Sequence, residues 1–282
     1  EAVVGQEVLA DAFAAGSTTP TIVIANKANA DAVVAAATAV EGVDSAKVAS
    51  SNDSISKIEV VLDAESQSDE AYATIKLLRT AVHEVEGADA MVGGQDAQAL
   101  DVKEAYAHDQ LIVIPMILIL VFIVLVLLLR ALVAPVLLLV TVVASFFASM
   151  GAGWLLFVNF FDFPALDLSV FLYSFLFLVA LGVDYNIFLV TRAKEEAAHL
   201  GTKQGMIKAL SATGGVITSA GILLAAVFAV LGVLPLVALA QIGVIVCIGV
   251  LLDTLLVRTV IVPALAFISG KKFWLPSKNY KA

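Results

Sequence analysis

Apolar residues follow two different patterns along this chain. Up to about residue 109 they alternate with polar ones at the periods of strands and helices. Beyond that point they run almost unbroken in five stretches, at about Leu111–Leu129, Ala131–Val158, Leu168–Val190, Ala209–Val233 and Leu236–Ile268. Each stretch is long enough to cross a hydrocarbon core of roughly 30 Å at a helical rise of ~1.5 Å per residue. The second and fifth exceed the roughly 20 residues a span needs, so they are expected to tilt, to kink at Gly or Pro, or to project beyond the lipid.

In the first region Glu1–Ala15 predicts a short helix, ended by the turn residues Gly16 to Pro20. Thr21–Ala25 is β-branched and strand-like, and Ala28–Val40 reads as a helix with Asn26 as its cap and Glu41-Gly42 as its end. Strands at Val43–Ala49 and Ile55–Leu62 flank a polar turn at Ser50–Ser54. Ser68, followed by Asp69 and Glu70, opens a helix to about Glu86, with Ile75, Leu78, Val82 and Val85 as its stripe and Gly87 as its stop. A last short strand falls at Ala88–Val92, and Gln95–Gln110 reads as a polar helix leading to the membrane. The order β-α-β-β-α-β is that of a split-βαβ, ferredoxin-like unit, which indicates a fold and no function. The predicted class is therefore an α-helical polytopic membrane protein of five transmembrane helices, preceded by an α+β ferredoxin-like domain. Its expected boundaries are 1–109 for that domain with its linker helix, 110–270 for the spans and 271–282 for a tail.

Composition agrees. Hydrophobic residues make up 61% of the chain and the mean hydropathy is +1.00, against roughly 45–50% apolar residues in soluble domains. Residues 1–109 hold 19 acidic and 6 basic side chains, and residues 110–282 hold 6 and 10. The acidity belongs to the first part and argues against a nucleic-acid partner. Cys247 is the single cysteine and forms no intrachain disulfide. The chain opens at Glu1 with neither an initiator Met nor a signal-peptide pattern, which reads as a piece of something longer.

All ten basic residues of the apolar part lie at Arg130, within Arg192–Lys208, at Arg258, or in the tail at Lys271, Lys272, Lys278 and Lys281. With five spans these positions share one side, and the positive-inside rule makes that side cytoplasmic. Residues 1–109, the Asn159–Asp167 loop and the Gly232–Pro235 turn then face outward. Trp274 and Phe273 beside Lys272 are expected at the membrane interface.

Within the third stretch Asp184 lies about 16 residues past Leu168, or ~24 Å of helix. A carboxylate there costs at least ~2.5–3.5 kcal/mol, and intramembrane acids usually face a bundle interior or wet cavity and often relay protons. Membrane potential supplies about 2.3 kcal/mol per charge per 100 mV to such a relay. Tyr185 adds a hydroxyl, and its carboxylate partner is expected on another helix, about 100° per residue placing it off the Asp184 face. Asp253, about 17 residues past Leu236, reaches similar depth with Thr254 beside it, and forms a second polar site. Arg258, five residues on, is about 140° round an α-helix from Asp253 and is expected to snorkel to the cytoplasmic interface.

The bland alternatives are that Asp184 and Asp253 tie helices together, that Asn186 is an interhelical donor, and that Glu195-Glu196 is a solvated loop face. Ser211 to Gly215 and Thr218 to Gly221 form a small-residue face, best read as close packing. His83, His108 and His199 are scattered and no metal-ligand spacing occurs. No phosphate-binding loop supports ATP-driven transport. An intramembrane aspartyl protease would need a different context, because here the acid precedes the tyrosine and follows Gly-Val.

The run Gly182-Val183-Asp184-Tyr185-Asn186-Ile187-Phe188-Leu189, with Arg192 and Glu195-Glu196 after it, strongly resembles the Asp-Tyr span of the MmpL (mycobacterial membrane protein large) family of the resistance-nodulation-division (RND) superfamily. Ala212-Thr213-Gly214-Gly215-Val216-Ile217-Thr218-Ser219-Ala220-Gly221, and Asp253-Thr254 through Val257-Arg258 to Pro263-Ala264, resemble that family's last two spans. The likeness covers essentially the whole chain and implies the back half of a transporter. It further implies that residues 1–109 are part of an extracytoplasmic porter region and that Asp184 and Tyr185 are one half of a proton relay. The partner it implies is a missing N-terminal half carrying the complementary Asp-Tyr pair. Lipids or other amphiphiles would be drawn from the membrane and exported by proton influx across the plasma (bacterial inner) membrane, with no cofactor, metal or catalytic residue. The alternative on the same fold is a membrane lipid receptor or sensor without vectorial transport.

Overall fold

The structure, a computed structural model, describes residues 19–277. The expected helix at Glu1–Ala15 and the tail residues Lys278 and Lys281 lie outside the described residues. The chain divides after Ala107 into two compact units.

The first unit follows the expected order: β1 (Thr21–Asn26), α1 (Ala30–Thr38), β2 (Val43–Ser51), β3 (Ile55–Leu62), α2 (Asp69–His83) and β4 (Met91–Gly93). The strands form one antiparallel sheet in the order β2-β3-β1-β4, with Val23 opposite Ile58. That order, with central strands β1 and β3 flanked by β4 and β2, is ferredoxin-like. Period-2 alternation puts Val23, Ile58 and Val60 on the buried side of the sheet. There they meet Val33 and Ala37 of α1 and Ile75, Leu78 and Val82 of α2 in one core.

Ser68 caps α2, accepting from the Ala71 amide at 3.1 Å, which satisfies one of the amides a helix start leaves open. Asn26 does not cap α1. Its side-chain amide donates to Gly87 O at 2.9 Å and to Asp89 Oδ2 at 3.0 Å, tying β1 to the turn after α2, and a short 3-10 turn at Lys27–Asn29 precedes the helix. Asn52 organises the β2–β3 turn by accepting from the amides of Ser54 and Ile55, each at 2.8 Å, so β2 extends to Ser51. The last strand begins at Met91 rather than Ala88, because Asp89 adopts φ +43° and breaks the extended run.

Gln95 to Leu129 is one uninterrupted helix, α3, so the polar linker and the first apolar stretch are continuous. Lys103 on α3 donates to Asp69 at 2.7 Å and lies 4.9 Å over the Tyr72 ring. The ammonium holds the Asp69 carboxyl below the usual range, and Asp69 in turn raises Lys103. This contribution is therefore present at neutral pH and is lost as acid protonates Asp69. Arg79 and Asp101 make a two-pronged pair at 2.6 and 3.0 Å.

In the second unit α3 is followed by α4 (Val133–Leu156), a π-helical extension at Phe157–Phe161, α5 (Leu168–Leu200), α6 (Thr202–Leu231), α7 (Val237–Leu252), a π-helical segment at Asp253–Ile261 and α8 (Val262–Ser269). Among the described residues five helices are long and apolar enough to cross a membrane. Both over-long stretches contain a π segment, at which backbone bonds run i to i+5. Asp167 caps α5 by accepting from Ser169 N at 2.9 Å. The buried Gln241 of α7 ties down the connection before it, accepting from Asp167 N at 2.9 Å and donating to Ala165 O at 2.8 Å.

The Arg192–Lys208 region is helical on both sides of Gly201 rather than a loop. Glu196 is correspondingly not a solvated loop side chain: it is buried and bridges Arg192 at 2.6 Å and Lys208 at 2.8 Å, joining α5 to α6. Phe273 and Trp274 also depart from expectation, since both are 0% exposed. A 3-10 turn at Gly270–Trp274 folds them inward, where Trp274 Nε1 donates to Thr202 Oγ1 at 3.2 Å. Beside it Leu132 N donates to Leu275 O at 2.6 Å. They close the helix ends against each other instead of meeting lipid headgroups.

Candidate functional site

The third span carries the candidate residues on different faces. At about 100° per residue, Gly182 and Tyr185 share one side of α5, while Asp184 lies roughly 200° from Gly182. Asp184 is exposed and Tyr185 is half-buried. Asn186 is buried at 3% exposure, as an interhelical residue would be.

The face with Gly182 and Tyr185 meets the π segment. A Cβ added at Gly182 would stand 2.7 Å from Asp253 Oδ2, so the carboxylate reaches the bare backbone of α5. Gly182 is two residues from Asp184, about 3 Å along the axis, so the two acids lie at similar depth on different sides of α5. Gly221 of α6 performs the same service for Thr254, whose side chain occupies the space a Cβ would need. Of the small residues read as one packing face, only Thr213 and Gly221 are buried; Ser211, Ala212, Gly215, Ser219 and Ala220 are exposed, and Gly214 and Gly215 have no neighbour within 4 Å of a Cβ position.

Arg258 departs most from expectation. It is 2% exposed, and its guanidinium carbon sits 4.6 Å from the centre of the Tyr185 ring, a cation–π geometry. It does not snorkel. The 140° separation assumed an α-helix; in the π segment the i to i+5 relation of Asp253 and Arg258 is the hydrogen-bonded one, which swings both toward the same buried space. Among the described residues no direct ion pair joins them, yet each lies within the other's field.

Asp253 is 4% and Thr254 1% exposed. Neither Asp253 oxygen, nor the Thr254 hydroxyl, nor any Arg258 nitrogen has a hydrogen-bond partner among the described residues. Ser145 faces Asp253 but gives its proton to Val142 O at 3.0 Å. Buried polar groups are nearly always satisfied, so this concentration of unsatisfied atoms within one π segment sets it apart from the rest of the spans. Arg258 is the member of this buried cluster that the sequence pattern sends elsewhere. Its signal was the Asp-to-Arg spacing of five, unfavourable in an α-helix and natural in a π turn.

Gly182→Ala is expected to leave the protein folded but to push the Asp253 carboxylate away from α5, at a cost of about 1–3 kcal/mol, as overpacked sites show. Thermal unfolding of the complete protein in detergent checks this. No group of three or more His, Cys, Asp or Glu among the described residues could hold a metal ion.

A ferredoxin-like unit followed by five apolar helices, with a polar cluster where the third and fifth meet, is the architecture of half an RND-type membrane protein. The chain belongs to the MMPL family, whose model matches residues 3–282. The membrane protein ActII-3 of Streptomyces coelicolor is 49% identical over 276 residues, covering 98% of this chain and 39% of that protein. The apo-petrobactin exporter of Bacillus anthracis is 37% identical, over 97% of this chain and 38% of its own length. The sulfolipid-1 exporter MmpL8 of Mycobacterium tuberculosis is 39% identical over 63% of this chain and 16% of that protein. The chain thus spans about two fifths of the Streptomyces and Bacillus relatives. It is a multi-pass membrane protein of a family whose relatives include named exporters.

Proposed function

We propose that this chain is the C-terminal half of a proton-driven exporter of lipids or other amphiphiles. Asp184 and Tyr185 form its share of the proton relay, and Asp253, Thr254 and Arg258 form a polar centre on the other side of α5. The observation that carries this reading is the division of the third span. Asp184 lies exposed at membrane depth, where an acid is too costly to leave against lipid. A partner half bearing the complementary Asp-Tyr pair would cover it. Tyr185, the next residue along α5, carries Arg258 of the buried cluster over its ring.

On this reading residues 1–109 are the extracytoplasmic porter region, residues 110–270 the spans and residues 271–282 a cytoplasmic tail. The basic residues at Arg130, Arg192–Lys208, Lys271 and Lys272 support that orientation in the plasma membrane. The names of the Bacillus and Mycobacterium relatives support export of an amphiphile or siderophore-like cargo. Reconstitution of the complete protein tests it, with a pH-sensitive dye sealed in the vesicles and a fluorescent amphiphile in the bilayer. Net movement of the amphiphile that follows an imposed pH gradient, with matching proton entry, is the expected result. Saturable binding without net movement at any gradient would instead make the chain part of a receptor.

A further inference from the structure

Rows of every-fourth residues from three helices meet along one buried seam. On α4 the row is Ser145, Ser149 and Gly153, and on α5 it is Gly182, Leu178 and Ser174. On the last span it is Asp253, Gly249 and Ile245. Residues four apart share a helix face and lie ~6 Å apart along the axis. Contacts between the rows advance in the same step. Asp253 Oδ2 stands 2.7 Å from a Cβ position at Gly182, Leu178 and Ser149 both close on Gly249, and Ile245 Cγ1 stands 2.7 Å from a Cβ position at Gly153. That register sets Ser145 level with Asp253 and Ser174 level with Ile245. One step further, Gln241 holds the α4–α5 connection through Asp167 N and Ala165 O.

Every level of the seam therefore carries a buried polar group: Asp253 with Ser145, then Ser149, then Ser174, then Gln241, none more than 5% exposed. Close helix packing accounts for the glycines, and alanine would serve it as well as serine does. Packing does not account for Ser174, whose fully buried hydroxyl has no hydrogen-bond partner among the described residues, nor for Asp253, both of whose oxygens lack one. Ser149 donates to Ser145 O at 2.6 Å and Ser145 to Val142 O at 3.0 Å, so each keeps acceptor lone pairs. Between these polar groups the bare backbone of Gly249 and of Gly153 is covered by one apolar side chain each, Leu178 and Ile245. Turning either side chain aside opens the space a Cβ would have closed.

We propose that this seam is the route by which protons reach Asp253, entered at the Gln241 end and gated by Leu178 and Ile245, with Ser174, Ser149 and Ser145 as its carriers. The route rests on the proton-driven reading above, to which it adds named residues. With the gates turned aside, one water between successive levels spans the ~6 Å through two hydrogen bonds of about 2.8 Å. A hydronium at the entry gives up a proton and becomes water. Each hydroxyl and bridging water accepts one proton and releases another, so one O–H bond breaks for each that forms. The last transfer converts the Asp253 carboxylate to the neutral acid, in the field of Arg258 from the same π turn.

The complete protein, reconstituted with the pH-sensitive dye and the fluorescent amphiphile, tests this against Ser174→Ala, Ser149→Ala and Ser174→Thr. Each alanine variant should slow the maximal rates of proton entry and amphiphile movement together by roughly tenfold, the effect of about 1.4 kcal/mol. The amphiphile concentration giving half-maximal rate and the unfolding temperature should stay near those of the unaltered protein. Ser174→Thr, which keeps a hydroxyl, should retain most of the rate. In the unaltered protein, brief hydroxyl-radical footprinting from solvent water should oxidise Leu178 more than Leu125, which is equally buried on α3 outside the seam. Where an alanine variant fails to fold, that footprint decides alone. Alanine variants that keep the full gradient-driven rate overturn the route and leave the proton-driven reading standing, whereas no gradient-driven movement in the unaltered protein overturns both. A threonine variant as slow as the alanine one, or Leu178 no more oxidised than Leu125, overturns the route too.

Discussion

Asp184→Asn in the complete protein is expected to lower proton-driven transport by roughly a hundredfold, the effect of about 2.7 kcal/mol on the limiting barrier, and to remove its pH dependence. The amide keeps the shape of the side chain and cannot exchange a proton. Asn matches Asp in size and is neutral, as a protonated carboxyl is, so the change should leave the fold of the complete protein intact. Unchanged transport with an unchanged pH profile would remove Asp184 from the relay. Tyr185→Phe supplies a contrast, because it deletes the hydroxyl and keeps the ring on which Arg258 rests. If the hydroxyl takes part in proton movement, Tyr185→Phe slows transport while thermal unfolding stays near that of the unaltered protein. If the ring is what matters, Tyr185→Phe is silent and Tyr185→Leu is not.

The sheet unit was legible in the sequence because its signals are local and agree with one another. Ser68 ahead of Asp69 and Glu70 marks a helix start, and the alternation from Ile55 to Leu62 marks a half-buried strand. The five spans were legible because the length of an apolar run needs no knowledge of partners. Turning residues inward depended on tertiary contacts that no local pattern records. Phe273 and Trp274 beside two lysines match an interfacial anchor, and only the returning chain, with Leu275 O accepting from Leu132 N, puts them inside. Glu196 beside Glu195 resembles a solvated pair until α6 brings Lys208 to it.

The polar site was half legible for a similar reason. Asp184 and Asp253 stand out because a carboxylate in an apolar run is costly wherever it points. Which way each points depends on helix phase, and the expected phase follows from 3.6 residues per turn. The π segment breaks that assumption at Asp253, so every residue from there to Ile261 is rotated relative to the α-helical expectation. α-Helical phase likewise sends Arg258 to the interface, where the π turn brings it inside. A glycine opposite each polar side chain, Gly182 for Asp253 and Gly221 for Thr254, is the sequence-level trace of the packing, visible only once the helices are paired.

Removing one member of the buried cluster should cost more than removing both. Arg258→Leu leaves the Asp253 carboxylate in a protein interior without its opposing charge, and Asp253→Asn leaves the guanidinium likewise. Each is expected to destabilise the complete protein, by less than the ~3–5 kcal/mol of a direct buried ion pair because none joins the two side chains. In the double variant Asp253→Asn with Arg258→Leu, both buried charges are gone. Apolar or neutral replacement of a buried pair is often neutral or stabilising, so its unfolding temperature should recover most of the loss. Transport should not recover. A packing role predicts that stability and transport return together in the double variant, whereas a role in moving charge predicts stability without transport. Single variants whose losses simply add in the double would show that Asp253 and Arg258 act independently, despite sharing one π turn and facing the same Tyr185 side of α5.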